Sequence, residues 1–223
     1  MGNTRMNRRD LITGVGAAAA GYVAGGGANL DAAPLQAAAP LTTFQPARHP
    51  QDEWLDKIPG KHRVVLDATS AAGAGQGIGY AGNVFNANRT GYQIENNEMA
   101  VVLCLRHDAT AFAYNNAMWA KYGAIFAMAA SFVPDSGAVP KSNPRNSGDR
   151  PALDNLAKRG AHFIVCGLAT TFIAGQIVGP NGDTAAAYKE LEANLIPNAH
   201  IMSAGVVGIT RAQEYRYSLI HVG

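Results

Sequence analysis

Only two cysteines, Cys104 and Cys166, occur in the 223 residues, which excludes a small disulfide-built scaffold and leaves at most one bridge. Charge is equally sparse. Charged residues make up 15% of the chain, the formal net charge is +2, and no basic run stands out. Nothing therefore argues for binding to nucleic acid or to an anionic membrane surface. The HxH, HExxH and CxxC spacings of common metal sites are missing, so no metal and no cofactor are expected. A GxSxG nucleophile elbow is also missing, which removes the usual serine-hydrolase reading. No internal repeat is visible. Glycine and alanine are plentiful instead, a composition that suits close helix–sheet packing in an α/β domain, with surface left over for an oligomer contact.

The chain opens MGNTRMNRRDLITGVGAAAAGYVAGGGA, with Arg5, Arg8 and Arg9 ahead of a small, apolar stretch from Leu11 to about Ala28. A charged segment followed by an apolar one is the layout of an export signal. The pair Arg8-Arg9 followed by Asp10, Leu11 and Ile12 resembles the twin-arginine (Tat) signal. Its Gly/Ala-rich stretch is too weakly apolar to be expected as a stable membrane anchor. Gly26-Gly27-Ala28 and Ala37-Ala38-Ala39 offer small residues for cleavage, although Pro40 follows the second. The resemblance implies export to the periplasm, with the Tat translocase as a transient partner. Residues 1–39 are read as signal and start of linker, 40–60 as linker, and 61–223 as the folded domain. Within the linker, Trp54 and Leu55 are the residues expected to dock on that domain.

From Arg63 onwards strands and helices alternate. RVVLDAT (63–69), AVVLCLRH (100–107), HFIVCG (162–167) and AHIMSAG (199–205) read as strands, and YRYSLIHV (215–222) as a final edge strand. Helical patterns cover 79–90, 109–130, 151–160, 184–195, where Thr184 is the expected cap, and 206–214. The alternation predicts a single α/β domain with a mainly parallel sheet of about five strands and helices on both faces. Residues 131–150 contain three prolines and read as a long loop, either functional or disordered.

Ligands of open parallel sheets sit at the carboxyl ends of the strands. That rule gathers Thr69-Ser70, His107-Asp108, Cys166-Gly167 and Ser203 on one rim, and sends His62, His162 and His200 to the other. Cys104, in mid-strand, reads as an inert core thiol. Cys166 ends its strand where a helix begins, and free amides at a helix start stabilise a thiolate, with Arg106 and His107 as candidate sources of further positive charge. A packing role for Cys166 and a Cys104–Cys166 disulfide stay open. Against the disulfide stands the flavodoxin-like strand order, in which the first strand separates the second from the third. Gly77-Ile78-Gly79-Tyr80-Ala81-Gly82 matches GxGxxG, with Asp108 as a candidate ribose-binding acid. It lies too far beyond its strand for a dinucleotide fingerprint, and reads as a flexible or anion-cradling loop.

Taken in order, VVLCLRHDAT, a long helix, LAKRGAHFIVCGLATTFIAGQI, LIPNAHIMSAGVVGITRAQ and EYRYSLIHV resemble the DsrE/DsrF-like family of sulfur-relay and YchN-like proteins. The resemblance covers about residues 62–222. It implies a small α/β fold and assembly into a homo-oligomer, trimer or hexamer. It also implies that Cys166 carries a persulfide, handed between a sulfur donor and an acceptor protein, with His107 auxiliary on the same rim. Ser70, Asp108, Gly167 and Ser203 complete the expected ligand-contacting set. The export signal departs from the cytoplasmic relay subunits. A non-catalytic periplasmic ligand-binding or assembly module of the same fold is the alternative.

Overall fold

The computed structural model describes residues 44–146 and 152–223; the segment read as an export signal, the first residues of the linker up to 43 and the end of the 131–150 loop lie outside the described residues. Within them five strands form one all-parallel sheet: β1 (His62–Ala68), β2 (Met99–Leu105), β3 (His162–Cys166), β4 (Ala199–Met202) and β5 (Ser218–His221). Their spatial order is β4-β3-β2-β1-β5, so β5 is an edge strand as expected. The flavodoxin-like order is overturned. β2 and β3 are direct neighbours, with Cys104 opposite Ile164 in the register, and both cysteines are free thiols.

The short apolar runs become buried central strands because both faces are covered; β2 is buried at every position. One face is packed by α2 (Ala71–Tyr92), α3 (Asn116–Ala129), α4 (Leu153–Lys158), α5 (Gly167–Val178) and α6 (Thr184–Glu192), which close over Leu66, Leu103, Phe163 and Val165. Among the described residues, the other face carries α1 (Trp54–Lys57) and α7 (Gly205–Glu214), over Val65, Val102, Cys104 and Ile164. Leu55 is fully buried and Trp54 packs beside it, so the compact unit begins at Pro46.

Several helices differ from the pattern reading for local reasons. α2 starts at Ala71, eight residues before the expected start, because the Ser70 side chain accepts a hydrogen bond from the Gly73 amide. GxGxxG therefore lies inside a helix and not in an anion loop; a Cβ on Gly77 would sit 2.6 Å from Leu103 Cδ1, so this glycine serves close packing, whereas a Cβ on Gly79 or Gly82 would meet nothing within 4 Å. The expected 109–130 helix divides into a 3-10 segment, His107–Ala113, and α3, because the Asn115 side chain caps a new start at Met118 N. Asp183, not Thr184, caps α6 by accepting from Ala186 N. In the 131–146 stretch Asn143 is buried and donates to Phe112 O and Tyr114 O, both at 2.8 Å, which fastens that loop to the 3-10 segment.

Candidate functional site

β3 passes into α5 on one face of the sheet, whereas its neighbour β4 passes into α7 on the other. Helices leaving adjacent strands on opposite faces open a crevice at the strands' carboxyl ends. Cys166 ends β3 at this point, opposite Met202 of β4. A cavity of about 510 Å³ occupies the crevice, and its lining includes Arg106, His107, Asp108, Cys166, Phe172 and Val206.

The backbone around Cys166 is firmly held. The Thr170 hydroxyl donates to Cys166 O at 2.9 Å and accepts from the Tyr114 hydroxyl at 2.9 Å. Gly167 is required by close approach, since a Cβ there would stand 2.7 Å from Met202 O. Both helices that start at the crevice lack a side-chain cap; Cys166 stands at the cap position of α5 and Ala204 at that of α7. By contrast Ser70, Asn115 and Asp183 cap α2, α3 and α6 with their side chains. Uncapped amides and the positive helix ends favour an anion in the crevice.

Alternation along the strands turns Asp67, Cys104, Arg106 and Cys166 to the α7 face. Arg106 Nε and Nη2 donate to Asp67 Oδ1 and Oδ2 at 2.7 and 2.9 Å, a bidentate pair, and His221 Nδ1 stands 3.2 Å from Asp67 Oδ2. Burial opposes ionisation of Asp67, yet the bonds and charge of Arg106, then of His221, outweigh it and hold the carboxyl below its ordinary 3.8. Gly205, at the start of α7, is likewise set by close approach, because a Cβ there would lie 2.4 Å from Arg106 Cβ. Cys104 is fully buried, and burial, then the charge of Asp67, raises its thiol well above the ordinary value. Cys166 is 8% exposed and faces the cavity.

Of the residues expected on this rim, His107, Asp108 and Cys166 meet at one cavity, and Gly167 starts the helix beside it. His107 adopts a left-handed backbone (φ 55°), is exposed, and places Nδ1 2.7 Å from Asp108 Oδ1. Ser70 is occupied as the α2 cap and does not line the cavity, and Ser203 lines a different cleft with His49, Asp52 and Arg211. Asp67 and His221 were not singled out by pattern; a lone carboxylate in the apolar run RVVLDA was the available signal for the first. At the opposite rim His162 Nδ1 and His200 Nε2 are 3.1 Å apart, and the Trp54 ring stacks on His200 with centroids 3.9 Å apart. Burial, then His162, lowers His200 to about 4.

Against models of known families the chain finds no match, and no curated protein matches it either.

Proposed function

We propose that this protein is an exported, DsrE-like sulfur carrier or thiol-redox protein in which Cys166 forms a persulfide. The observation that carries the reading is the position of Cys166, at the strand end of an open crevice where two helices begin without side-chain caps. In a carrier cycle the Cys166 thiolate attacks the outer sulfur of a donor R–S–SH. The new S–S bond forms as the donor's S–S bond breaks, and R–S⁻ departs. Sulfane sulfur moves without net oxidation or reduction, and the proton lost from Cys166 balances the one R–S⁻ takes up. His107, paired with Asp108 at the mouth, relays that proton. Helix-end amides hold the terminal sulfur of the persulfide as an anion.

The family resemblance supports a trimer or hexamer, and the Arg8-Arg9 segment supports delivery to the periplasm through the Tat translocase. A second reading, a ligand-binding or assembly module without chemistry, draws on Leu168, Phe172 and Val206, large apolar side chains left exposed around the cavity. Intact-mass measurement after brief exposure to inorganic polysulfide separates the two. The carrier reading expects a cyanide-labile gain of sulfur on wild type and none on Cys166→Ser. A wild-type chain that gains no sulfur leaves only the binding module.

A further inference from the structure

We infer that the molecule delivering sulfur to Cys166 is a small organic hydropersulfide with an apolar body, not an inorganic oxyanion such as thiosulfate. The inference rests on the sulfur-carrier reading and names the donor class for that site. Thiosulfate carries two charges and needs cationic side chains free to meet them. Every charged side chain lining the cavity is already paired. Arg106 is turned back onto Asp67 through two hydrogen bonds, and His107 lies against Asp108. What remains for one negative sulfur is the pair of uncapped helix starts, on the floor beside Cys166.

The rest of the wall is hydrocarbon: Ala129, Leu168, Phe172, Ile173 and Val206. Leu168 and Phe172, on the first turns of α5, are 68% and 62% exposed, so an apolar body against them removes hydrocarbon from water. At about 510 Å³ the cavity falls within the range that holds a small organic molecule. Charge is therefore accommodated only at the reacting end, and the remainder of the donor has to be apolar. A benzyl or short alkyl hydropersulfide has this shape. Its outer sulfur meets Cys166, and the S–S bond breaks to release the apolar thiolate, which takes the proton from solvent or His107.

The full chain is mixed separately with benzyl hydropersulfide generated in solution, with sodium thiosulfate and with inorganic polysulfide. Sulfur on Cys166 is timed by intact mass, and each rate is divided by that of N-acetylcysteine with the same donor. The expected result is a normalised rate for benzyl hydropersulfide at least about tenfold above that for thiosulfate, as hydrophobic pockets discriminate by factors of about ten or more. Leu168→Ser and Phe172→Ser, both exposed and tolerable to the fold, should each lower the benzyl-to-polysulfide ratio several-fold. Equal normalised rates, or variants that keep the ratio, overturn the donor assignment and leave the carrier reading standing. Failure of all three donors to load Cys166 removes both. Light scattering adds one further outcome: if the two variants split an oligomer while the ratio is unchanged, the apolar wall is a contact between copies and the donor assignment falls.

Discussion

Replacing Asp67 by alanine removes both acceptors of the Arg106 guanidinium and the partner of His221 at once. Hydrogen bonds to charged groups contribute about 1.5–3 kcal/mol each, and breaking a buried pair by truncating one partner costs about 3–5 kcal/mol. Arg106 is 24% exposed at its side chain, so water recovers part of the loss. The expected destabilisation at pH 7 is therefore about 2–3 kcal/mol, read as a shift of the urea midpoint at constant m-value. Removing both charges with Asp67→Leu and Arg106→Met should cost less than Asp67→Ala alone, because no buried charge is then left unpaired. The acid limb tests the same pair. The folded carboxyl lies below its ordinary 3.8, so in acid the folded state binds fewer protons here than the unfolded chain. The pair's contribution is complete above about pH 4, where an unfolded aspartate is ionised. It is lost as pH falls through the lower folded value, and the gap between wild type and Asp67→Ala should close there. A gap below about 0.5 kcal/mol at pH 7, or one that widens in acid, would refute the assignment of Asp67 and Arg106 as a stabilising pair.

Thiol counting should return one reactive group in the native chain at neutral pH and two in denaturant, since Cys104 is fully buried with its thiol pushed up, whereas Cys166 faces the cavity. Two native thiols, or persistence of the single one in Cys166→Ser, would contradict that assignment. Gly205→Ala forces a Cβ to within 2.4 Å of Arg106 Cβ, so it should cost about 1–3 kcal/mol and slow sulfur uptake by displacing the cavity wall; unchanged melting and uptake would show that α7 gives way freely. His200 takes its proton at about 4 when folded and at about 6.5 when unfolded, so stability should decline as pH drops from about 6.5 towards 4. At this half-buried site solvent screening limits the loss to about 1–2 kcal/mol. His200→Leu should flatten that limb, and in the folded protein Trp54 emission, absent in Trp54→Phe, should change near pH 4, where His200 takes its proton. Phe163→Ala, in the middle of the main core, should cost about 3–5 kcal/mol by chemical denaturation.

Pattern alone locates all five strands and their alternation with helices: β2 and β3, covered on both faces, have to be almost continuously apolar, while β4 and β5 are four-residue strands with more exposed positions, marked by the turn signals around them. It also separates the two thiols. Cys104 sits within VVLCL and Cys166 closes HFIVC ahead of a glycine, so the residue sequence carries the strand-end position of Cys166 without reference to any other element. Helix starts are less legible. Ser70, Asn115 and Asp183 each stand in stretches where a neighbouring residue looks equally suited to begin a turn, and only the hydrogen bond made by the side chain decides between them.

Strand order lies further from local pattern. The neighbours of β2 depend on which helices cover which face, a matter of long-range packing that no period of two or 3.6 records. From that order follow the adjacency of β2 and β3, the crevice between β3 and β4, and the distance of Ser70 and Ser203 from the lining around Cys166. The same holds for the charges. Arg106 was legible as a cation at a strand end, but whether it faces an incoming anion or turns away was settled by Asp67, 39 residues earlier, reaching the same face through parallel pairing. Chain-local chemistry therefore establishes the strands and singles out the thiol. The tertiary arrangement alone determines the thiol's company, because parallel strands join residues through crossovers far longer than any local pattern spans.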